Sequence, residues 1–148
     1  MDKSELERTP SWTEILTQDG SALLTKGNKV TLYFEGDEVF EEMCGEIAKA
    51  TRFVNMEMYM FLSDRVGRVM ARALSEKARA GVPVRVVYDA IGSSAAEGEM
   101  FEAMREAGVR VEVFRPVAPW RKRSGILGRN HRKNLIIDGR VAFTGGMN

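Results

Sequence analysis

The sequence predicts an α/β fold in which helices flank a mixed, mostly parallel β-sheet. Short apolar runs typical of strands alternate with amphipathic stretches of about 10–15 residues typical of helices, the order found in βαβ units. The run at residues 83–89 is nearly continuous in hydrophobicity, as in a buried strand. Gly81 and Gly108 follow two of the expected helices, where a left-handed residue would end each helix.

The expected domain covers residues 28–148 and follows a leader, residues 1–27, that shows no sustained period and should be weakly structured. Asp37 is the expected N-cap of the first helix. Asp138-Gly139 is the expected two-residue turn of a hairpin between the last two strands. The predicted strands cover residues 30–34, 53–61, 83–89, 109–114, 131–138 and 141–146, and the predicted helices cover residues 38–50, 66–80 and 97–107.

Composition and charge limit the classes of function. The chain has 148 residues, of which 44% are hydrophobic and 29% charged, with a formal net charge of +1. A near-neutral chain is not a generally basic nucleic-acid binder, so we expect no nucleic-acid partner. No apolar run reaches the roughly 18 residues that span a bilayer, and any membrane contact is expected from the protein surface. The single cysteine, Cys44, has no partner for a disulfide and is expected in the core.

The residues that carry chemistry lie near the end of the chain. His131 is the only histidine, and Lys133 lies two residues further on, so both project from one face of a strand. A neutral imidazole can attack phosphorus or pass a proton near neutral pH, and an ammonium neutralises phosphate oxygens. A lone histidine is more often a surface residue without a special role, but these neighbours favour a site for a phosphodiester.

A two-residue hairpin turn would bring the glycine-rich end of the chain opposite His131. In this register Gly146 faces His131 and leaves room for a phosphate. Asn148 lies diagonal to His131, where its amide can donate to phosphate oxygens. Asp138 is expected to orient the turn or Lys133 instead of contacting an anionic substrate. The placement depends on the turn, because a slip of one residue moves every side chain of the second strand to the other face.

Residues 131–148, HRKNLIIDGRVAFTGGMN, resemble the HKD motif of the phospholipase D superfamily. The longer string RNHRKNLIIDGRVAFTGGMN is similar to the form found in bacterial cardiolipin synthases. Upstream segments resemble the first lobe of those enzymes: GNKVTLYFEGDEVFEEM, NMEMYMF, GVPVRVVYDAIGSS and REAGVRVEVFRPVAPWR. The resemblance covers nearly all of residues 27–148 and implies a phospholipase-D-like fold with this chain as one lobe.

The resemblance also implies a role for each residue of the motif. His131 would be the nucleophile, or else the acid that protonates the leaving alcohol. Lys133 and Asn148 would bind the phosphate, and Asp138 would be the motif's aspartate. The family reaction is a double displacement through a phosphohistidine, and it implies no cofactor and no metal. A cardiolipin-synthase-like enzyme would join two phosphatidylglycerol molecules at the cytoplasmic face of the inner membrane.

The sequence departs from the family because it carries one histidine. Members of the superfamily build one active site from two HKD motifs, in tandem lobes or across a homodimer. The chain also stops within what reads as a strand leading onward. We therefore expect an incomplete first lobe that is inactive without a second motif. Three hypotheses remain: a phosphatidyltransferase, a single-motif phosphodiesterase or nuclease active as a homodimer, and an inert fragment that binds anions or membranes.

Three further residues are candidates for the pocket. Glu57 and Tyr59 lie on the polar side of an expected strand, and Glu57 is expected to pair with Lys133 or face the substrate, the alternative being plain solvent exposure. Asp89 ends an expected parallel strand, where ligand sites of open α/β sheets gather. Residues 92–94 follow it and could donate to an anion. Alternatively, Asp89 only begins a turn.

A basic stretch precedes the motif. Between residues 112 and 138 every charged side chain is basic. Such a stretch can be an ordinary solvated face, or it can attract anionic lipid headgroups to the mouth of the site. An aromatic residue within it would rest at the membrane interface. The residues expected to contact membrane or headgroups are Trp120, Arg121, Lys122 and Arg123.

Overall fold

The computed structural model describes residues 25–116 and 128–148. The chain divides into two compact units, residues 1–32 and residues 33–148. In the first unit the described residues, 25–32, form no helix or strand. The elements described in the second unit are α1 (Gly36–Lys49), β1 (Val54–Met58), α2 (Arg65–Arg79), β2 (Val84–Asp89), α3 (Gly98–Glu106), β3 (Arg110–Phe114), β4 (Lys133–Ile137) and β5 (Val141–Thr144).

A five-stranded sheet with the order β3-β2-β1-β4-β5 forms the centre of the second unit. Strand β1 pairs in parallel with β2, and β2 pairs in parallel with β3, with α2 and α3 as the connections. Strand β4 pairs antiparallel with β1, and β5 pairs antiparallel with β4. The predicted α/β class, with a mixed sheet flanked by helices, is confirmed.

One face of the sheet carries the hydrophobic core. In β1 the side chains of Val54, Met56 and Met58 are buried, and the residues between them are half-buried. Because side chains alternate along a strand, Asn55 and Glu57 point to the opposite, more polar face. The three helices contribute buried side chains to the same apolar cluster: Val39, Met43, Ile47, Met70, Ala71, Leu74, Met100, Phe101 and Met104.

Two predictions at the start of the domain are wrong. Residues 30–34 form no strand, although apolar side chains alternate along them. These apolar side chains are largely exposed. Alternation alone does not produce a strand, because the ladder needs a bonded neighbour. Asp37 is not the N-cap of α1, whose N-cap is Glu35, a residue that makes no side-chain capping bond. Asp37 lies in the first turn instead, where its charge is favourable to the helix dipole.

The turn between β4 and β5 is one residue longer than predicted. Ile137 pairs with Val141, so residues 138–140 form the turn, and the first two of them have φ angles of 57° and 69°. Relative to a two-residue turn, this register moves the side chains of β5 to the other face of the sheet. The predicted pairing of Gly146 with His131 is therefore wrong.

The carboxylate of Asp138, the first residue of this turn, is bonded to the chain just before β1. Its Oδ1 accepts the N–H groups of Arg52 at 2.8 Å and Phe53 at 2.9 Å. Its Oδ2 accepts the N–H group of Thr51 at 2.9 Å and the Thr51 hydroxyl at 3.1 Å. The N–H groups of Phe53 and Thr51, in that order, are the main reason that the pKa of Asp138 lies far below its usual range, against the opposing effect of burial. Asp138 thus fastens the end of β4 to the start of β1.

Two glycines in helices should respond oppositely to alanine. A Cβ at Gly67, in the first turn of α2, would lie 1.8 Å from the backbone oxygen of Leu62, so Gly67→Ala should destabilise the protein by roughly 1–3 kcal/mol or more. A Cβ at Gly45, in the middle of α1, meets nothing within 4 Å, so Gly45→Ala should stabilise by about 0.5–1 kcal/mol. Urea unfolding measures the change in the free energy of unfolding for each variant. Equal changes in the two variants would contradict the close packing of Gly67 on Leu62.

Acid should weaken the protein partly through Asp138. Its pKa is lower in the folded chain than in the unfolded chain, so its stabilisation is present above the ordinary carboxyl pKa of about 3.9 and is lost as pH falls toward the folded value. Asp138→Asn should therefore lower Tm by several degrees at neutral pH and by less at about pH 2. Thermal unfolding across this range measures the difference.

Asp37→Asn is the matched control, because Asp37 forms an exposed ion pair with Arg65 at 2.9 Å. Such a pair contributes little, so Tm should change only slightly at any pH. If the Tm difference between the parent and Asp138→Asn stayed constant down to about pH 2, protonation of Asp138 would not be coupled to stability as proposed.

Candidate active site

The imidazole of His131, two residues before β4, lies beside the end of β1. His131 is exposed and lies outside the ladder, which begins at Lys133. Because β4 runs antiparallel to β1, Lys133 pairs with Met58, the last residue of β1. The next residue, Tyr59, packs its ring on the His131 ring with the centroids 4.6 Å apart. The predicted candidates His131, Lys133 and Tyr59 are therefore brought together.

The ammonium of Lys133 lies beside this imidazole. Its Nζ is 3.2 Å from both ring nitrogens of His131, and the tautomer decides which of them accepts. The same Nζ donates to the His131 carbonyl oxygen at 2.9 Å and lies 5.1 Å from the centre of the Tyr59 ring. Lys133 is buried, whereas His131 is exposed. This arrangement can present a nucleophilic nitrogen and a positive charge to one phosphoryl group.

Asn148 lies at the same end of β1, but it is held there by a bond to the chain after β1 and not by the predicted hairpin register. Its Oδ1 accepts the N–H group of Met60 at 3.1 Å, directly after Tyr59. That bond engages the side-chain oxygen, whereas a phosphate would be bound by the side-chain NH2 group. A Cβ at Gly146 would meet nothing within 4 Å, so the space beside this glycine is open.

Glu57 does not pair with Lys133, so this one of the predicted alternatives is wrong, and a role of Glu57 in the pocket stays a prediction. Glu57 faces Asn134 in the β1–β4 register, and Lys133 faces the next residue of β1, so the two side chains leave the sheet on opposite faces. The Glu57 carboxylate accepts amide hydrogens from Asn130 at 2.6 Å and Asn134 at 3.2 Å. It also lies 3.7 Å from the Arg132 guanidinium. Glu57 therefore supports the chain on both sides of His131.

Asp89 does not line an open pocket, because its side chain has no exposed surface. It accepts two N–H groups of its own turn, at 2.9 and 3.1 Å, the N–H group of Asn130 at 3.0 Å and the guanidinium of Arg129. Burial alone would raise the pKa of Asp89, but the Arg129 guanidinium and these N–H groups outweigh it and hold the pKa below its usual value. The backbone N–H groups of residues 92–94 bond within the turn and are not free for an anion.

The sequence did not single out Arg129 or Asn130, although both bond to predicted candidates. The available signal was their position directly before His131, but their partners lie 40 and more residues away. The expected membrane contacts, Trp120 and residues 121–123, lie outside the described residues. Within residues 25–116 and 128–148, no three His, Cys, Asp or Glu side chains gather as a metal site would require. In those same ranges no helix has the length and apolar character to cross a membrane.

Comparison with known proteins identifies relatives that share the segment around His131. The family model described as cardiolipin synthase, PLD-like domain, matches residues 43–148. A cardiolipin synthase of Clostridium perfringens strain 13 is 42% identical over 124 residues, covering 84% of this chain and 26% of the relative. The major cardiolipin synthase ClsA of Bacillus subtilis strain 168 is 37% identical over 136 residues, covering 90% of this chain and 28% of the relative. The chain thus spans about a quarter of the length of these curated relatives.

Two solved structures share the fold. NucT from Helicobacter pylori matches with a TM-score of 0.58 and 22% identity, over 76% of this chain and 67% of that one. Nuc from Salmonella typhimurium, a phospholipase D family member, matches with a TM-score of 0.54 and 21% identity, over 73% of this chain and 62% of that one. Because the family model extends over most of the chain and includes the whole segment from His131 to Asn148, the chain belongs to the cardiolipin synthase family of PLD-like domains.

Proposed function

We propose that this chain supplies one half of a phosphatidyltransferase site that makes cardiolipin from phosphatidylglycerol. The observation that carries the proposal is the exposed imidazole of His131 with the Lys133 ammonium 3.2 Å from its ring nitrogens. Relatives that are named cardiolipin synthase support the choice of substrate. Two phosphatidylglycerol molecules would give one cardiolipin and one glycerol.

The proposed reaction has two displacements. In the first, a ring nitrogen of His131 attacks the phosphorus of one phosphatidylglycerol, and the bond to the headgroup glycerol breaks. The leaving oxygen takes a proton from a general acid. In the second, a glycerol hydroxyl of another phosphatidylglycerol attacks the phosphohistidine, gives up its proton and releases the imidazole. Lys133 and the amide of Asn148 would stabilise the charge on the nonbridging oxygens in both steps.

A second titratable group is required by this scheme. The chain has one histidine, which cannot be nucleophile and general acid in the same step. We propose that a second HKD motif supplies the acid, from further sequence or from a second copy of this chain. The proposed location is the cytoplasmic face of the inner membrane, where the basic stretch before the motif would attract anionic lipid.

Replacing His131 tests the reaction. In a preparation that turns over phosphatidylglycerol, His131→Ala should lower the rate by roughly 10³-fold or more, because the nucleophile is lost. Rapid quenching with labelled substrate should trap acid-labile phosphate on the peptide that contains His131, the one histidine of this chain. Arg140→Ala, in the exposed turn at the other end of β4, is the control and should keep full activity.

Full activity of His131→Ala would exclude the proposed site. Cleavage of DNA without turnover of phosphatidylglycerol would instead identify the chain as part of a phosphodiesterase that uses the same residues. Vesicle binding without any turnover, in a preparation that also supplies a second HKD motif, would favour an inert binding module.

The basic stretch should contribute to membrane affinity. Replacing Arg121, Lys122 and Arg123 together with glutamine should weaken binding to phosphatidylglycerol vesicles by roughly 100-fold, since each basic residue near an anionic surface contributes about 1 kcal/mol. Vesicle sedimentation measures the change, and phosphatidylcholine vesicles serve as the neutral control. An unchanged affinity for the anionic vesicles would remove these residues from the proposed membrane contact.

A further inference from the structure

A buried ion pair lies directly before His131. Asp89 has no exposed surface, and the side chain of Arg129 is 13% exposed. The Nε of Arg129 lies 3.1 and 3.0 Å from the two oxygens of Asp89, and a terminal nitrogen of Arg129 lies 3.0 Å from one of them. The carboxylate of Asp89 is enclosed, and the contacts of the pair are with the protein chain around it.

Arg129 connects the chain before His131 to the ends of two strands. Its terminal nitrogen donates to the carbonyl oxygens of Phe114 at 3.3 Å and Arg115 at 3.2 Å, at the end of β3. Asp89, which ends β2, also accepts the N–H group of Asn130 at 3.0 Å. Since His131 lies outside the β4 ladder, these bonds fix the direction from which the chain reaches it.

The turn that begins at Asp89 also holds the aromatic residue against the imidazole. Ser93 Oγ accepts the N–H group of Phe61 at 2.9 Å and donates to the carbonyl oxygen of Tyr59 at 3.3 Å. Gly92 approaches Tyr59 so closely that a Cβ would lie 2.2 Å from the Tyr59 carbonyl oxygen. One turn therefore contacts both the residues that precede His131 and the residue whose ring packs on it.

We propose that Asp89 and Arg129 are positioning residues that hold the His131 imidazole against Tyr59 and Lys133 in the orientation needed for attack. Without the pair, the chain before His131 loses its bonds to the ends of β2 and β3 and keeps the bond from Asn130 to Glu57. The ring of His131 then samples other orientations. The catalytic consequence rests on the proposed function, whereas the orientation of the ring can be measured without turnover.

The single histidine of the chain makes this orientation measurable by NMR, because there is one set of imidazole resonances. At one fixed pH, the Tyr59 ring should displace these resonances through its ring current. Tyr59→Leu gives the positions without that contact. Arg129→Lys keeps the charge but loses the planar donor fork, and Asp89→Asn loses the charge with little change of shape. Both should move the resonances most of the way toward those of Tyr59→Leu.

Arg68→Lys is the matched control. One nitrogen of Arg68 lies 2.8 Å from both carboxylate oxygens of Glu97, but this pair is exposed and separate from the site. The imidazole resonances should stay where they are in this variant. Ser93→Ala removes only a hydroxyl and should move the resonances in the same direction as the pair variants, which keeps a test available if those unfold. Unmoved imidazole resonances in folded Arg129→Lys and Asp89→Asn, or in Ser93→Ala if both unfold, would overturn the proposal.

Kinetics supply a second readout in a preparation that turns over phosphatidylglycerol. A nucleophile displaced by about 1 Å can lose on the order of 100-fold in rate. Arg129→Lys should therefore lower kcat by roughly 10- to 100-fold with KM within about twofold of the parent value. A raised KM with unchanged kcat would overturn the positioning role in favour of substrate binding. If a preparation that also supplies a second HKD motif shows no turnover, the proposed function fails, and the NMR measurement still decides the role of the pair.

Discussion

Three backbone N–H groups just before β1 converge on the carboxylate of Asp138, and the position of β4 depends on that contact. The contact fixes how far β4 extends along β1. In the resulting register Lys133 stands beside the end of β1, and His131 comes to rest against Tyr59. A shift of β4 by two residues would keep its apolar face inward but would remove Lys133 from this position. The motif's aspartate thus acts at the end of β4 that is remote from the imidazole.

A second buried carboxylate fixes the other end of the same segment. Asp138 is held by backbone N–H groups and a hydroxyl, whereas Asp89 is held by backbone N–H groups and the guanidinium of Arg129. Both contacts hold the pKa of the carboxyl group below its usual value, so both stabilise the fold in neutral solution. Between them the chain is bonded at residues 129, 130, 132 and 134, and the exposed His131 lies among these bonded residues.

The elements of the fold could be predicted from sequence because they depend on local spacing. The apolar period of α2 and its end at Gly81, whose φ is +87°, were predictable from neighbouring residues, as was the alternation in β1. The length of the β4–β5 turn was not predictable, because Asp138 bonds to Thr51, Arg52 and Phe53, which are 85 to 87 positions away in the sequence. The pairing of Asp89 with Arg129 could not be predicted either, because the two residues are 40 positions apart. Periodicity indicates which face of an element is buried, but it does not identify the partner of a buried charge.

The distribution of charge around His131 suits an anionic substrate. Glu57 leaves the sheet on the face opposite Lys133 and is bonded to Asn130 and Asn134, and Asp89 is enclosed with Arg129. The described contacts of the Lys133 ammonium are a carbonyl oxygen, an imidazole and an aromatic ring. None of these neutralises its charge, so the ammonium can still attract a phosphate. The same register that places Lys133 beside His131 turns the nearest β1 carboxylate away, and this separation of charges follows from the alternation of side chains along paired strands.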